Sequence, residues 1–168
     1  MDAPGVDEVF ALPGPAVILM SAFHPENLAH VIMMTNKQAL PALLEQYGIT
    51  PTAQRVEIAH IMLAAHQHLS ADQVLARVNQ GDQAVSKATV YNTLGLFAEK
   101  GLIRQVIVDP TKIFYDSNTK PHHHFYNVDD GSLLDFDPDE CPIAKMPTLP
   151  EGTVAEGVDV IVRLRKTA

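Results

Sequence analysis

The fold is decided by residues 86–116, which read SKATVYNTLGLFAEKGLIRQVIVDPTKIFYD. After a serine that can cap a helix, Val90, Leu94 and Phe97 recur at helical spacing. From Leu102 the period changes to that of a strand, and the sequence DPT that follows predicts a hairpin turn. A helix followed directly by a β-hairpin is typical of a winged helix-turn-helix.

Three further helices are predicted before this segment, again from apolar side chains at three- and four-residue spacing. The first ends at Gly48. The second is predicted to have Thr50 as its cap and Pro51 at its first position, and to end near His66. Ser70 is the predicted cap of the third helix, which a short turn separates from the helix that begins after residue 86.

Three further strands are predicted after the hairpin, over 122–128, 132–136 and 158–164, with a proline-rich loop before the last. The sequence therefore predicts an α+β fold: an N-terminal winged helix-turn-helix over 35–118, followed by a small α/β dimerisation domain over 119–168. Residues 1–34 show no sustained period. They are either an irregular arm or lie upstream of a true start at Met33 or Met34 rather than Met1.

Composition narrows the class of protein. The single cysteine, Cys141, rules out an internal disulfide framework and is typical of a reducing compartment. No apolar run approaches the roughly 20 residues needed to span a bilayer, and the acidic N-terminal segment is unlike a secretory signal. We therefore expect a cytoplasmic protein with no membrane contact.

The net charge of −8 is unevenly distributed along the 168 residues. The formal charge is −4 over residues 1–34, +1 over 35–120 and −5 over 121–168. Only the middle segment is a candidate for phosphate contact. The acidic remainder is expected to suppress non-specific binding to nucleic acid.

The helix that begins after Ser86 is the candidate for reading DNA. A helix in the major groove needs small and polar residues on its first turns, with its opposite face packed on the domain. Lys side chains there can bind phosphate, Asn can bind adenine edges, and Tyr can contact a thymine methyl group or a phosphate. The expected contacts are Arg55, Ser86, Lys87, Thr89, Tyr91, Asn92 and Thr93. The alternative is a solvated amphipathic helix of an ordinary α/β domain.

Three motifs, in order, resemble the ferric uptake regulator superfamily. They are Thr50-Pro51-x-x-Gln54-Arg55, His68-Leu69-Ser70-Ala71-Asp72 and Ser86-x-Ala88-Thr89-Val90-Tyr91-Asn92-x-Leu94, followed by a histidine cluster. The resemblance covers about residues 38–165. It implies a winged-helix N-terminal domain, a small C-terminal dimerisation domain, and a homodimer that binds palindromic operators in double-stranded DNA.

The histidine cluster has the sequence Pro121-His122-His123-His124-Phe125-Tyr126. Alternate side chains of a strand share a face, so His122 and His124 are predicted to point one way and His123 the other. Two imidazoles on one face are a natural chelating pair. A surface histidine cluster without a ligand is the alternative.

The resemblance implies further ligands around this pair. His68 matches the family's interdomain ligand histidine, Asp116 its carboxylate ligand at the end of the wing, and Asp135 a second carboxylate. The implied metal site is His68, Asp116, His122, His124 and Asp135. Such nitrogen and oxygen donors suit Fe(II), Mn(II) or Zn(II) rather than an ion that prefers thiolates. A bound ion would connect the two domains and fix the spacing of the recognition helices.

Two departures from the family pattern narrow the resemblance. Asn127 and Asp130 occupy the positions of a family CxxC pair, so a four-cysteine structural zinc is excluded. The missing cysteine pairs, the three histidines and the ending VDVIVRLR look most like the iron response regulator branch, which is associated with haem. Haem is therefore an alternative ligand, with His122, His123, His124 and the Cys-Pro dipeptide at Cys141 as candidate contacts.

We therefore predict a metal- or haem-responsive transcription regulator, a repressor of iron homeostasis genes. A peroxide sensor that uses Fe(II) at the same site is an alternative within this class. A metalloenzyme is a different class, but no nucleophile or general base accompanies the cluster in the sequence, so we expect no enzymatic activity. A metal-storage protein is the third class, and failure to shift genomic DNA in a gel would identify it.

Overall fold

The computed structural model describes residues 36–81, 84–109 and 111–167. The predicted arm over 1–34 and the choice of start codon lie outside these residues. The described helices are α1 (Leu40–Gln46), α2 (Ala53–Leu63), α3 (Ala71–Val78) and α4 (Lys87–Glu99). The described strands are β1 (His68–Leu69), β2 (Arg104–Asp109), β3 (Lys112–Asp116), β4 (His123–Asn127), β5 (Leu133–Phe136) and β6 (Ile161–Leu164). The α+β class is confirmed.

The start of α2 differs from the prediction. Thr52, not Thr50, is the N-cap, and its hydroxyl accepts a hydrogen bond from the Arg55 N–H at 3.3 Å. Pro51 lies before the cap and is not helical. The Thr50 carbonyl is used in the preceding turn, where it accepts from the Thr52 N–H and from the Arg55 guanidinium. The helix also ends earlier than predicted, at Leu63.

The predicted caps of α3 and α4 are confirmed. The Ser70 hydroxyl accepts from the Gln73 N–H, and the Gln73 side chain accepts from the Ser70 N–H at 2.8 Å, which makes a capping box. The Ser86 hydroxyl accepts from the Thr89 N–H at 3.1 Å. None of the described helices is long and apolar enough to cross a bilayer.

The four helices share one apolar core, to which β1 and β3 also contribute. Its fully buried members include Leu40, Leu44, Ile58, Met62, Val74, Val90, Leu94 and Phe97. Burying one such side chain is worth about 1.5–3 kcal/mol. Helices α3 and α4 pack on each other, as the two helices of a helix-turn-helix do. The buried face of α4 leaves Lys87, Tyr91 and Asn92 on the outside of the domain.

The first sheet is antiparallel, with strand order β1–β3–β2. Strands β2 and β3 form the predicted hairpin, which is the wing. Strand β1 has only two residues, too few to show a strand period in the sequence, and it pairs with the far end of β3. In this pairing His68 lies directly opposite Asp116.

The second sheet has strand order β5–β4–β6, with β4 antiparallel to β5 and parallel to β6. Its three strands are shorter than predicted. The register places His124 opposite Asp135 on one side and Ile161 on the other. Because paired residues share a face of a sheet, these three side chains define the inner face, which is turned toward the wing.

The outer face of the second sheet is apolar and is formed by the alternate residues. Phe125 is paired with Leu134 and Val162, and Leu134 is 63% exposed. The apolar residues of the second half predict a dimer interface formed by Phe125, Val128, Leu133, Phe136, Val160, Val162 and Leu164. Of these, Phe125, Phe136, Val162 and Leu164 are on the outer side, with Val160 directly before β6. Leu133, predicted for the same surface, lies on the inner face instead, and the partly buried Val128 packs there beside it.

The wing packs against the inner face of the second sheet. Val106, Val108 and Phe114 of the wing form one apolar cluster with Tyr126 and Leu133, joined by the partly buried Val128 and Ile161. Strand alternation explains the error for Leu133, since its face is the one that Asp135 shares. A guanidinium N–H of Arg163 also donates to the Val108 carbonyl at 2.5 Å.

The segment between β5 and β6 is almost entirely coil in the described structure. It holds one 3-10 turn, Pro138–Glu140, with Asp137 as its cap. Prolines 138, 142, 147 and 150 lack an amide donor, which is why this stretch was predicted to be loop. Several apolar side chains of the segment are exposed: Ile143, Met146, Leu149, Val154 and Val158.

Candidate functional site

The five residues implied as metal ligands lie together between the two sheets. The first sheet provides the cross-strand pair His68 and Asp116, and the second provides the pair His124 and Asp135. His122 directly precedes β4 and is added from the linking segment. Each sheet therefore contributes one imidazole opposite one carboxylate, and the fifth ligand comes from the chain that joins them.

The ligand atoms are close enough to surround a single ion. One such atom from each of the five side chains lies within 4.8 Å of all the others. The Nε2 atoms of His122 and His124 are 3.0 Å apart, and His122 Nε2 is 2.9 Å from Asp116 Oδ2. Because metal bonds to nitrogen and oxygen are about 2.0–2.2 Å long, two ligand atoms of one ion cannot be much more than 4 Å apart. The cluster matches that limit with little rearrangement.

Unpaired buried atoms show that this site fits a cation. In the described part of the chain, His68 Nε2 and Asp116 Oδ2 are buried and make no hydrogen bond of good geometry, although His68 Nε2 is 2.9 Å from Asp135 Oδ1 and Asp116 Oδ2 is 2.9 Å from His122 Nε2. A buried polar atom without a partner costs about 1–3 kcal/mol. Two carboxylates and three neutral imidazoles would also balance the charge of a divalent ion, whose oxygen and nitrogen preferences they meet.

Hydrogen bonds outside the ligand set orient its members. The His122 Nδ1 atom lies 2.7 Å from the Lys120 carbonyl, and since a carbonyl only accepts, Nδ1 carries the proton and Nε2 is left as the ligand atom. Asn118 holds both carboxylates: its N–H donates to Asp116 and its side-chain amide to Asp135. Sequence reasoning missed Asn118, for which an Asn two residues after a ligand carboxylate was the available signal.

Electrostatics within the cluster keep the carboxylates ionised. Burial alone lowers the pKa of His68, but the adjacent carboxylates of Asp116 and Asp135 outweigh it and raise that pKa from 6.5 to about 9. Burial acts to raise the pKa of Asp116, yet hydrogen bonds from His124 and His68 hold it well below its usual range. The pKa of Asp135 is lowered in the same way by His68 and Asn118 against the effect of burial.

His123 faces away from this cluster, as strand alternation predicts. Its ring contacts Phe136 edge-on at 5.4 Å between centroids, and its Nδ1 atom accepts weakly from the Val160 N–H at 3.5 Å. His123 and Cys141 line a separate cleft of about 670 Å³, which His122 also borders. His124 does not line that cleft, so the four residues considered for haem are not brought to one place.

A second network joins the metal cluster to the helices. Gln67 and Ser117, the neighbours of two ligands in sequence, bond to each other through the Gln67 N–H and the Ser117 hydroxyl at 3.2 Å. The Gln67 side chain then donates to the Ile61 carbonyl near the end of α2 and accepts from Arg77 of α3 at 2.8 Å. These hydrogen bonds connect the start of β1 and the end of β3 to α2 and α3.

The predicted DNA-contacting residues are only partly available on the surface of α4. Lys87, Tyr91 and Asn92 are exposed, and Arg55 lies at the start of α2. Ser86 and Thr89 use their hydroxyls in the cap, 2.9 Å from each other. The inclusion of Thr93 was wrong, because it is 4% exposed and lies on the face of α4 that carries Val90, Leu94 and Phe97.

The ferric uptake regulator family model matches residues 46–149 of the chain. The chain belongs to the ferric uptake regulator family. This match includes α2 through β5 and all five residues of the metal cluster. The family resemblance seen in the three motifs is thereby confirmed.

The chain is similar to a peroxide-responsive repressor and to two ferric uptake regulators of known structure. The peroxide-responsive repressor PerR of Staphylococcus aureus is 30% identical over 95 residues, which span 56% of this chain and 64% of the relative. The Pseudomonas aeruginosa ferric uptake regulator with manganese has a TM-score of 0.60 at 23% identity, covering 77% of this chain and 98% of that one. The Francisella tularensis ferric uptake regulator with iron has a TM-score of 0.61 at 23% identity, covering 71% of this chain and 92% of that one. The two structures support the fold.

Proposed function

We propose that this protein is a dimeric transcription regulator whose binding to double-stranded DNA is controlled by a divalent metal ion held by His68, Asp116, His122, His124 and Asp135. The observation that carries this proposal is the origin of the ligands. Two come from the sheet of the winged helix, and the others come from the second sheet and the segment before it. An ion bound there connects the two halves at a point where His68 Nε2 and Asp116 Oδ2 otherwise make no hydrogen bond of good geometry.

In this proposal, the metal ion controls DNA binding by setting the position of α4. An ion drawn to all five ligands favours the arrangement in which β1 and β3 lie against β4 and β5. Strand β3 belongs to the wing, and β1 leads into α3, which packs on α4. The arrangement that the ion favours therefore fixes the position of α4 relative to the second sheet. In a dimer, the spacing of two such helices decides whether both can enter successive major grooves.

Operator affinity measured against a panel of ligands tests the function directly. A duplex selected by the protein from a randomised library serves as operator, and a shuffled duplex of equal composition serves as control. We expect Fe(II), Mn(II) or Zn(II) to change affinity for the selected duplex relative to chelator. The proposal fails if no duplex is enriched, or if chelated and metal-loaded protein bind every duplex alike; the metal-storage alternative predicts the first result.

The exposed first turns of α4 are expected to read the operator. Tyr91→Ala and Asn92→Ala should each weaken specific binding by about 1–3 kcal/mol, because each removes a contact to a base edge. Lys87→Ala should weaken specific and non-specific binding alike and flatten the salt dependence, because Lys87 is proposed to bind phosphate. Fluorescence anisotropy at several salt concentrations measures all three.

Gln46→Ala is the matched control for these variants, since Gln46 is an exposed polar residue at the end of α1, away from α4. Its affinity for the selected duplex should equal that of the unaltered protein. If Tyr91→Ala and Asn92→Ala also retain full selectivity, another surface of the protein reads the operator.

The dimer is expected to survive exhaustive chelation. The outer face of the second sheet offers apolar surface that needs no metal to associate, and the chain lacks the cysteines of a structural zinc site. Size-exclusion chromatography with light scattering should give the same mass before and after chelator. A clean shift to monomer on metal removal would show that the ion, rather than packing, holds the dimer together.

A matched pair of variants locates that interface. Leu134→Glu places a charge on the outer face of the second sheet and should produce a monomer. Ile107→Glu places the same charge on the wing, where Ile107 is 60% exposed, and should leave the dimer intact. Monomers from both variants, or from neither, would move the interface away from this face.

Peroxide sensing is a second candidate, and the likeness to peroxide-responsive repressors supports it. The metal cluster holds a partly exposed carboxylate, Asp135, beside His68 and His122, which leaves a route for a small oxidant to a bound ion. Protein loaded anaerobically with Fe(II) and treated with peroxide should then gain one oxygen atom on His68 or His122, measurable by mass spectrometry. Retention of both unmodified histidines favours metal sensing alone.

Iron homeostasis is the role that we propose for the metal-sensing form. It is supported by the resemblance of the cysteine-free, histidine-rich segment to the iron response regulator branch. For haem the support is weaker, because the cleft that His123 and Cys141 line includes His122 but not His124, and the His122 Nε2 atom is turned toward His124 and the metal cluster. Haem belongs in the ligand panel, where it should compete poorly with divalent ions for the cluster.

A further inference from the structure

Asp72 lies beside the residues of α4 that are proposed to contact DNA. It is in the first turn of α3, and one of its carboxylate oxygens is 3.0 Å from the Lys87 ammonium. The same oxygen accepts a hydrogen bond from the Tyr91 hydroxyl at 3.3 Å. The Lys87 ammonium is also 5.3 Å from the centre of the Tyr91 ring. The Asp72 carboxylate thus contacts both Lys87, which is proposed to bind phosphate, and Tyr91, which is proposed to contact a base.

A carboxylate in this position opposes DNA binding in general. Asp72, Lys87 and Tyr91 are all exposed on one surface, so a duplex that approaches the Lys87 ammonium also brings phosphates toward Asp72. The hydrogen bond with Asp72 raises the pKa of Lys87, so the Lys87 ammonium stays charged at neutral pH. Any phosphate must compete with Asp72 for this cation, and residues 35–120 carry a formal charge of only +1.

We propose that Asp72 is a specificity-determining residue that withholds Lys87 and Tyr91 from DNA unless the base sequence offers both of them new partners. The proposal rests on the DNA-binding function proposed above. Non-specific DNA offers phosphate oxygens to Lys87 and to the Tyr91 hydroxyl but no matching base to the Tyr91 ring, so breaking the cluster is less well compensated than at a site that also contacts that ring. A correct site compensates both groups, and Asp72 has set the Tyr91 ring in place beforehand.

Asp72→Asn tests the proposal, because it removes the charge while keeping the size of the side chain and one acceptor oxygen. We expect affinity for a shuffled duplex to rise about three- to tenfold and the salt dependence to steepen by about one phosphate contact. Affinity for the selected duplex should rise less, so the ratio of specific to non-specific affinity falls. Asp72→Ala should lower that ratio further, because Tyr91 also loses its hydrogen-bond acceptor.

Glu99→Gln is the matched control. Glu99 is an exposed carboxylate at the end of α4 opposite to Lys87, and its replacement changes the net charge by the same amount. An equal loss of selectivity in Glu99→Gln would reduce the effect to overall charge and overturn the proposal. An unchanged salt slope and selectivity in Asp72→Asn would also overturn it. If the unaltered protein fails to enrich any duplex, the function proposed above has failed instead.

Discussion

Replacing His124 with Gln should lower the affinity for the first divalent ion by about 10- to 100-fold, whereas His123→Gln should leave it unchanged. Both side chains are buried in β4 and adjacent in sequence, so the two variants lose similar volume from similar surroundings. The two side chains point to opposite faces of the second sheet. The His124 Nε2 atom lies 3.6 Å from Asp116 Oδ2 and 3.0 Å from His122 Nε2, whereas His123 contacts Phe136.

Competition with a chromogenic chelator under anaerobic conditions measures this affinity, and thermal unfolding in chelator separates loss of the site from loss of the fold. A His123→Gln variant that binds metal as weakly as His124→Gln while remaining folded would contradict the assignment of faces. Asp116→Asn should resemble His124→Gln, because the buried Asp116 carboxylate contacts all three histidines of the cluster.

Raising the pH from about 7 to 9 should strengthen Mn(II) binding by about tenfold per pH unit, because an ion must displace the proton of His68. In the metal-free fold the two adjacent carboxylates raise the pKa of this imidazole from 6.5 to about 9. An ordinary histidine is already neutral over most of this range, so the dependence is specific to His68. Calorimetry in buffers of different ionisation enthalpy should count about one proton released per ion at neutral pH.

The stability of the metal-free protein should change in the opposite direction. A group whose folded pKa is raised contributes stability that is complete below its unfolded pKa of 6.5 and is lost as pH rises through about 9. The free energy of unfolding should therefore fall across this interval, by at most about 3 kcal/mol. His68→Gln should remove both trends and His123→Gln neither. A metal affinity that is flat with pH would show that His68 is not a ligand.

The sequence predicted the direction of side chains better than their distances. Strand alternation was enough to place His122 and His124 together and His123 apart, because the period of a strand is a local property. The pairing of His68 with Asp116 and of His124 with Asp135 depends on long-range register, and here only the family resemblance brought the four together.

The errors have physical causes of the same kind. Thr50 and Thr52 are equally good caps by residue type, and the choice depends on which carbonyl closes the preceding turn. Leu133 has the composition of an interface residue, but the wing covers it, and the sequence carries no signal of that packing. Asn118 and Asp72 are ordinary polar residues in the sequence, and the roles proposed for them depend on neighbours up to 19 positions away.

The packing of the wing on the second sheet also limits how this chain can be divided into soluble fragments. The predicted boundary between 35–118 and 119–168 passes beside an apolar cluster that draws residues from both sides. A fragment ending at Asn118 would leave Val106, Val108 and Phe114 on an exposed hairpin, and a hairpin with one bare apolar face tends to aggregate. We therefore expect that a soluble fragment of the predicted winged-helix domain, 35–118, requires polar replacements at these three positions.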